Sequence, residues 1–392
     1  MATVIEGLIE PQPPGDIVAA PPQPAALPSA FDAYRAVRYF ASLDGLRAAS
    51  IVAVIWHHTT TIAGPLPMSS RGFLGVDMFF VVSGFLIVTL LLRERDTRGD
   101  IALDRFYARR SLRIFPIYYT LLAVLAVFCF VRPEASLAQG FFAHLPWYLT
   151  YTSNWLPDAT ILAILWSLAT EEQFYLVWPP IEKFVKRNGA VLVLAFFLGV
   201  NQMVNFGLLD SELAAVIGFT RADLDILQIT FTPICLGVLL AHVLNSATGY
   251  AAVARWLGRR WSPLAAVALL LGAMNIPGDV AGWPRLAIQL AMTLLLATCV
   301  VREDHALRPL LAWGPIRRLG VISYGLYLYH MFARHAGVAL TDRLDLAGPL
   351  DLFVATLLVS AIIAELSYRY FETPFLKLKG CFAATPVAAR SE

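Results

Sequence analysis

Arg47 and His58 stand eleven positions apart in the segment LDGLRAASIVAVIWHH. In a helix that spacing is close to three turns, so both side chains share one face, about 16 Å apart along the axis. His57 lies about 100° further round. Asp77, in the next segment GVDMFFVVSGFLI, is expected at the same depth as His58 on an antiparallel neighbour. A carboxylate beside an imidazole holds one tautomer and raises its basicity, as a general base requires. The same pair also reads as an interhelical hydrogen bond with no chemistry.

Other polar groups fall in apolar surroundings. WSLATEEQFYLVWPP carries Glu171 and Glu172, and ISYGLYLYH carries Tyr324, Tyr327 and His330. Ionisable side chains inside a membrane span are costly unless they face a cavity or a partner, so each marks a candidate site. Together these segments are expected to converge on one polar layer. The tyrosines, alternating with Leu, also fit an interfacial belt. Arg109, Arg110 and Arg113 run directly into an apolar segment, RFYARRSLRIFPIYY. Guanidinium forks match phosphate oxygens bidentately, which points to a phosphorylated ligand, whereas Arg93, Arg95 and Arg98 read as topology-setting charge.

The elements that position these groups follow from composition. Of the 392 residues 58% are hydrophobic and 15% charged, with mean hydropathy +0.64. A soluble domain carries about 25% charged residues. Apolar stretches at roughly 43–63, 72–92, 111–131, 163–182, 189–208, 226–245, 262–276, 284–301, 319–340 and 350–370 predict an all-α membrane protein of about ten transmembrane helices. All but six of the 30 Lys and Arg then fall on the side of the two termini, the six being Arg71, Arg132, Arg221, Arg285, Arg334 and Arg343. By the positive-inside rule both termini are expected in the cytoplasm. Residues 1–35, rich in Pro and Ala, are expected to form a disordered tail without a cleaved signal peptide, and 381–392 a second loose tail. One transmembrane domain, 36–380, lies between. The four scattered cysteines suggest neither a disulfide framework nor a metal site.

These residues resemble the acyltransferase family 3 membrane O-acyltransferases, among them O-antigen and exopolysaccharide acetylases and macrolide acyltransferases. The resemblance runs from about residue 40 to 376 through the segments already quoted and YRYFETPF, in the family's order. It puts the Arg-x10-His motif on Arg47 and His58, the Arg-x-x-Arg motif on Arg110 and Arg113, and the acidic residue after Gly-Val on Asp77. The Trp-Ser-Leu-x-x-Glu motif selects Glu171, and the last motif ends on His330. It implies transfer of an acyl group, usually acetyl, from cytoplasmic acyl-CoA to a hydroxyl, commonly on a sugar. The sequence ends soon after YRYFETPF, without the SGNH-type esterase domain of some members, so the transmembrane domain is expected to be the catalytic unit.

The expected mechanism seats acyl-CoA phosphates on Arg110, Arg113 and Arg47. His58, oriented by Asp77 or Glu171, takes the acceptor's proton, either in direct transfer or through an acyl-histidine. His57, Tyr327 and His330 are expected around the acceptor. Acyl-CoA is a co-substrate, no cofactor is permanently bound, and the acceptor is a saccharide, a macrolide or a lipid-linked glycan. The chain is expected as a multi-pass protein of the inner (cytoplasmic) cell membrane, with no nucleic-acid partner. Two rivals are a proton-coupled secondary transporter, which predicts broken helices in two related halves, and a scaffold, which leaves Asp77, Glu171 and His330 without a role.

Overall fold

The computed structural model describes residues 29–382, apart from 61–65, 156–161, 218–224, 279, 347 and 349. Among these residues the chain is all-helical, with no strand. Ten main helices coincide with the ten apolar stretches: α1 Ala41–Thr59, α2 Gly75–Arg98, α3 Leu103–Val131, α4 Leu165–Phe184, α5 Arg187–Asn205, α6 Asp225–Leu244, α7 Ser262–Met274, α8 Trp283–Val301, α9 Ser323–Arg343 and α10 Asp351–Leu366.

Five helical segments are long and apolar enough to cross a membrane, namely Gly72–Arg98, Leu103–Val131, Arg187–Asn205, Trp283–Val301 and Asp351–Phe382. Two bent pairs, Ala30–Ala36 with Ala41–Thr59 and Phe231–Leu244 with Ala247–Leu257, raise the number to seven. The chain is a multi-pass membrane protein. The helices outside this set have physical reasons to be there. A 13-residue helix such as α7 extends about 20 Å, short of a bilayer's ~30 Å of hydrocarbon. The sequences of α4 and α9 are diluted by Glu171, Glu172, Glu182 and Lys183 in one and by His330 and Arg334 in the other. Much of the chemistry thus sits on the least lipid-like helices.

Helix α2 is the buried centre. Val81, Phe85 and Val88 are fully enclosed, and α2 crosses α6 backbone to backbone. A side chain on Gly84 would strike the Ile234 carbonyl, and one on Gly237 would strike that of Val81, so only glycine allows this approach. Helix α1 packs on α2 and on the short helix Gly314–Val321, and α9 packs on α10. Val127, Phe130, Leu192, Phe196, Leu358 and Ile362 point outward with exposed apolar side chains, as helices solvated by lipid require.

Most of the tail expected over 1–35 lies outside the described residues, but its last part is ordered. Ser29 caps the helix Ala30–Ala36 through the amide of Asp32, and Tyr34 is buried. Arg93 donates to the Tyr34 carbonyl at 3.0 Å and lies 5.2 Å from its ring, so this arginine anchors the segment as well as carrying charge. At the other end Lys379–Phe382 forms a 3-10 turn, tied by Arg109 donating to the Phe382 carbonyl at 2.8 Å.

Candidate active site

A cavity of about 650 Å³, its open mouth included, lies among α1, α2, α3, α4 and α9. Arg47, Arg110, Arg113, Glu171 and Tyr327 all line it, so one cavity gathers expected residues from four helices. Ser83 of α2, Ser167 of α4, and Ser323 and Tyr324 of α9 complete its polar wall.

Within that wall the charges are unequally matched. The Glu171 carboxylate accepts hydrogen bonds from the Ser83 and Tyr175 hydroxyls and lies 3.6 Å from Arg110. Arg110 is also 3.6 Å from Glu172, and its guanidinium carbon sits 3.6 Å from the Tyr175 ring centroid. Two carboxylates and an aromatic face therefore hold Arg110 at the cavity wall. Arg113 differs: among the described residues no carboxylate lies within 4 Å of it. Arg47 has Asp44 at 3.4 Å, and that carboxylate is shared with the Tyr39 hydroxyl. Among the cavity's arginines, Arg113 is thus the one without a carboxylate within 4 Å among the described residues, while Arg47 shares Asp44 with Tyr39.

At the other end of α1, His58 meets His330. His58 Nδ1 lies 3.0 Å from the Val54 carbonyl, and His330 Nδ1 lies 2.6 Å from that of Tyr327. A carbonyl only accepts, so each Nδ1 carries the proton. His58 Nδ1 also faces His330 Nε2 at 3.3 Å, where the proton is shared with the second ring's lone pair. This leaves the His58 Nε2 lone pair available as a base. The Tyr327 ring, at the cavity wall, is 5.6 Å from that of His330, and its hydroxyl bonds Ser167 at 2.7 Å. His57 turns away, exposed, with Nδ1 donating to the Ser70 carbonyl at 3.1 Å.

Neither expected carboxylate orients His58. Asp77 is buried and accepts from Arg285 at 2.7 Å and Gln289 at 3.0 Å, both on α8. Matched depth along two helices does not fix facing, and α8 supplies the cation that compensates Asp77. Glu171 is held inside the cavity wall instead. The support that a carboxylate was expected to give is provided by His330 and the Val54 carbonyl.

Three arginines counted as outer-loop charge are structural as well. Arg71 donates to the carbonyls of Met274, Ile276 and Gly278, Arg285 pairs with Asp77, and Arg334 donates to the His58 carbonyl at 2.7 Å. Spacing offered a signal for some missed residues: Tyr175 follows Glu171, and Arg334 follows His330, by one helical turn. Ser83 could have been marked as a hydroxyl within an apolar stretch.

A family model described as an acyltransferase domain matches residues 40–368. The O-acetyltransferase OatA of Staphylococcus aureus (strain NCTC 8325 / PS 47) is 28% identical over 373 residues, covering 87% of this chain and 58% of the relative. The peptidoglycan O-acetyltransferase OatA of Listeria monocytogenes serovar 1/2a is 29% identical over 380 residues, covering 87% of this chain and 56% of the relative. The chain therefore spans less than two thirds of the length of these relatives. No solved structure matches.

Proposed function

This chain belongs to the acyltransferase domain family, and from that premise we propose that it is a membrane O-acyltransferase moving an acetyl or related acyl group from acyl-CoA to a hydroxyl of a glycan or similar acceptor. The observation that carries the reading is the His58–His330 pair, which Tyr327 joins to the cavity of Arg113 and Arg47, its ring 5.6 Å from that of His330.

In this reading the CoA phosphates meet Arg113 and Arg47, with the pantetheine arm directed along the cavity toward Tyr327. His58 Nε2 takes the acceptor hydroxyl proton as the oxygen attacks the thioester carbonyl. The acyl–sulfur bond breaks, the acyl–oxygen bond forms, and the proton passes to the departing CoA thiolate. The imidazolium formed on the way is stabilised through Nδ1–H by His330 Nε2 and the Val54 carbonyl. Glu171, Arg110, Ser83 and Tyr175 fix the cavity wall through mutual bonds, which orients the donor without further rearrangement. Ten spans in the inner cell membrane, with both termini cytoplasmic, put Arg113 on the side where acyl-CoA is made; the Lys and Arg distribution supports that orientation. The relatives named for O-acetyl transfer support the acetyl group, and the one named for peptidoglycan supports a glycan acceptor.

Incubation of the purified chain with radiolabelled acetyl-CoA and cell-envelope fractions tests the proposal. Label entering an ester on a glycan, lipid-linked glycan or small-molecule pool is expected. Label that stays wholly as acetyl-CoA with every fraction sinks it.

A further inference from the structure

His58 lies in the last turn of α1, where the final carbonyls lack amide partners within the helix. Arg334 Nε donates to the His58 carbonyl at 2.7 Å, and a cation at this end is favoured by the helix dipole. That bond uses one of the guanidinium's five N–H donors. Among the described residues no carboxylate lies within 4 Å of Arg334, and its side chain is only partly buried. Its near neighbours in the site, His58 and His330, have the neutral tautomers set by their carbonyl contacts. The result is an uncompensated cation next to the reacting base, with donors to spare.

Position narrows its use. Arg334 follows His330 by one turn on α9, on the side away from Tyr327, the cavity-lining residue. Arg113 and Arg47 lie toward the opposite end of α1, about 16 Å away along the axis from His58. A donor reaching the histidines from Arg113 would leave Arg334 facing what arrives from the other end. Capping one carbonyl needs a single donor, whereas a guanidinium fork also matches a carboxylate or a phosphate bidentately.

We infer that Arg334 binds an anionic group of the acceptor, so that the acceptor is an acidic hydroxyl compound, such as a sugar bearing a carboxylate or phosphate, approaching the histidine pair from the side away from Arg113. This rests on the acyl-transfer reading and adds the class of acceptor to it. Recognition next to His58 fixes both the acceptor and the carbonyl end of the helix that carries the base.

The test compares N-acetylglucosamine, N-acetylmuramic acid and N-acetylglucosamine 1-phosphate as acceptors for the full chain with radiolabelled acetyl-CoA. The wild type is expected to favour an anionic sugar over the neutral one by about tenfold or more in kcat/KM, as one charge-assisted contact gives. The two anionic arms distinguish carboxylate from phosphate. Arg334→Gln is expected to bring that ratio close to one, and Arg334→Lys to keep part of it, with the KM for acetyl-CoA unmoved in both. A ratio near one in the wild type, or the wild-type ratio in Arg334→Gln with all rates lowered together, overturns the inference and leaves Arg334 as a helix cap. Hydrolysis of acetyl-CoA without transfer to any of the three also overturns it. If the wild type neither binds nor turns over acetyl-CoA, the acyl-transfer reading itself fails and the inference falls with it.

Discussion

His330 Nε2 faces His58 Nδ1 at 3.3 Å, across helices whose sequence positions differ by 272 residues. A neutral imidazole lone pair stands where a carboxylate would hold the proton in a more familiar arrangement. It supports the tautomer of His58, and in the proposed reaction it would stabilise the imidazolium without placing a second full charge in the low-dielectric interior.

Replacing His330 by alanine removes an acceptor for a proton whose charge grows during the reaction. One such bond is worth roughly 1.5 to 3 kcal/mol, so kcat is expected to fall by about ten- to a hundredfold, with the KM for acetyl-CoA unchanged. His330→Asn, which retains an acceptor oxygen, should recover part of the rate. Steady-state kinetics on both variants decides, and identical wild-type rates would deny His330 this role.

The Asp77–Arg285 pair is buried, the two side chains being 1% and 3% exposed. Asp77→Leu leaves a buried guanidinium without its carboxylate and is expected to cost about 3 to 5 kcal/mol of stability, whereas Asp77→Leu with Arg285→Met should recover most of it. Thermal unfolding in one detergent reads both variants. A single variant as stable as the wild type would show that the pair carries no such burden.

Arg113 and Arg110 should separate experimentally. Arg113→Gln is expected to weaken CoA binding by about tenfold or more, and lysine there to restore only part of it. Arg110→Gln disturbs Glu171 and Glu172 and should lower kcat more than CoA affinity. Calorimetric titration of CoA, set beside turnover, checks this; equal loss of CoA affinity in both variants would return Arg110 to the donor site.

Much of the helical layout is legible in the sequence, because apolar runs bounded by charge and Pro leave little choice but helices. Glu171, Tyr324 and Tyr327 share one cavity, which the expected polar layer anticipates in part, whereas Arg47, Arg110 and Arg113 join them there and His58, Asp77 and His330 are not among its lining residues. Pairing across helices is not legible in the same way. Depth placed Asp77 near His58, but which neighbour a side chain faces depends on crossing geometry, and the close approach of α2 to α6 at Gly84 and Gly237 helps set it. Charge counting had the matching weakness. It assigned Arg71, Arg285 and Arg334 to a side of the membrane, yet each also turns inward to satisfy carbonyls or a carboxylate.

The central claim is that His58 Nε2 takes the acceptor's proton, and alanine variants of the two adjacent histidines test it most directly. Acetyl transfer from radiolabelled acetyl-CoA and calorimetric CoA affinity are measured on the same purified preparations of wild type, His58→Ala and His57→Ala. His58→Ala is expected to bind CoA as the wild type does but to lose transfer by about 10²- to 10⁴-fold, the range of a general base, while His57→Ala stays within a few-fold. Transfer that survives His58→Ala, or is lost only in His57→Ala, contradicts that claim.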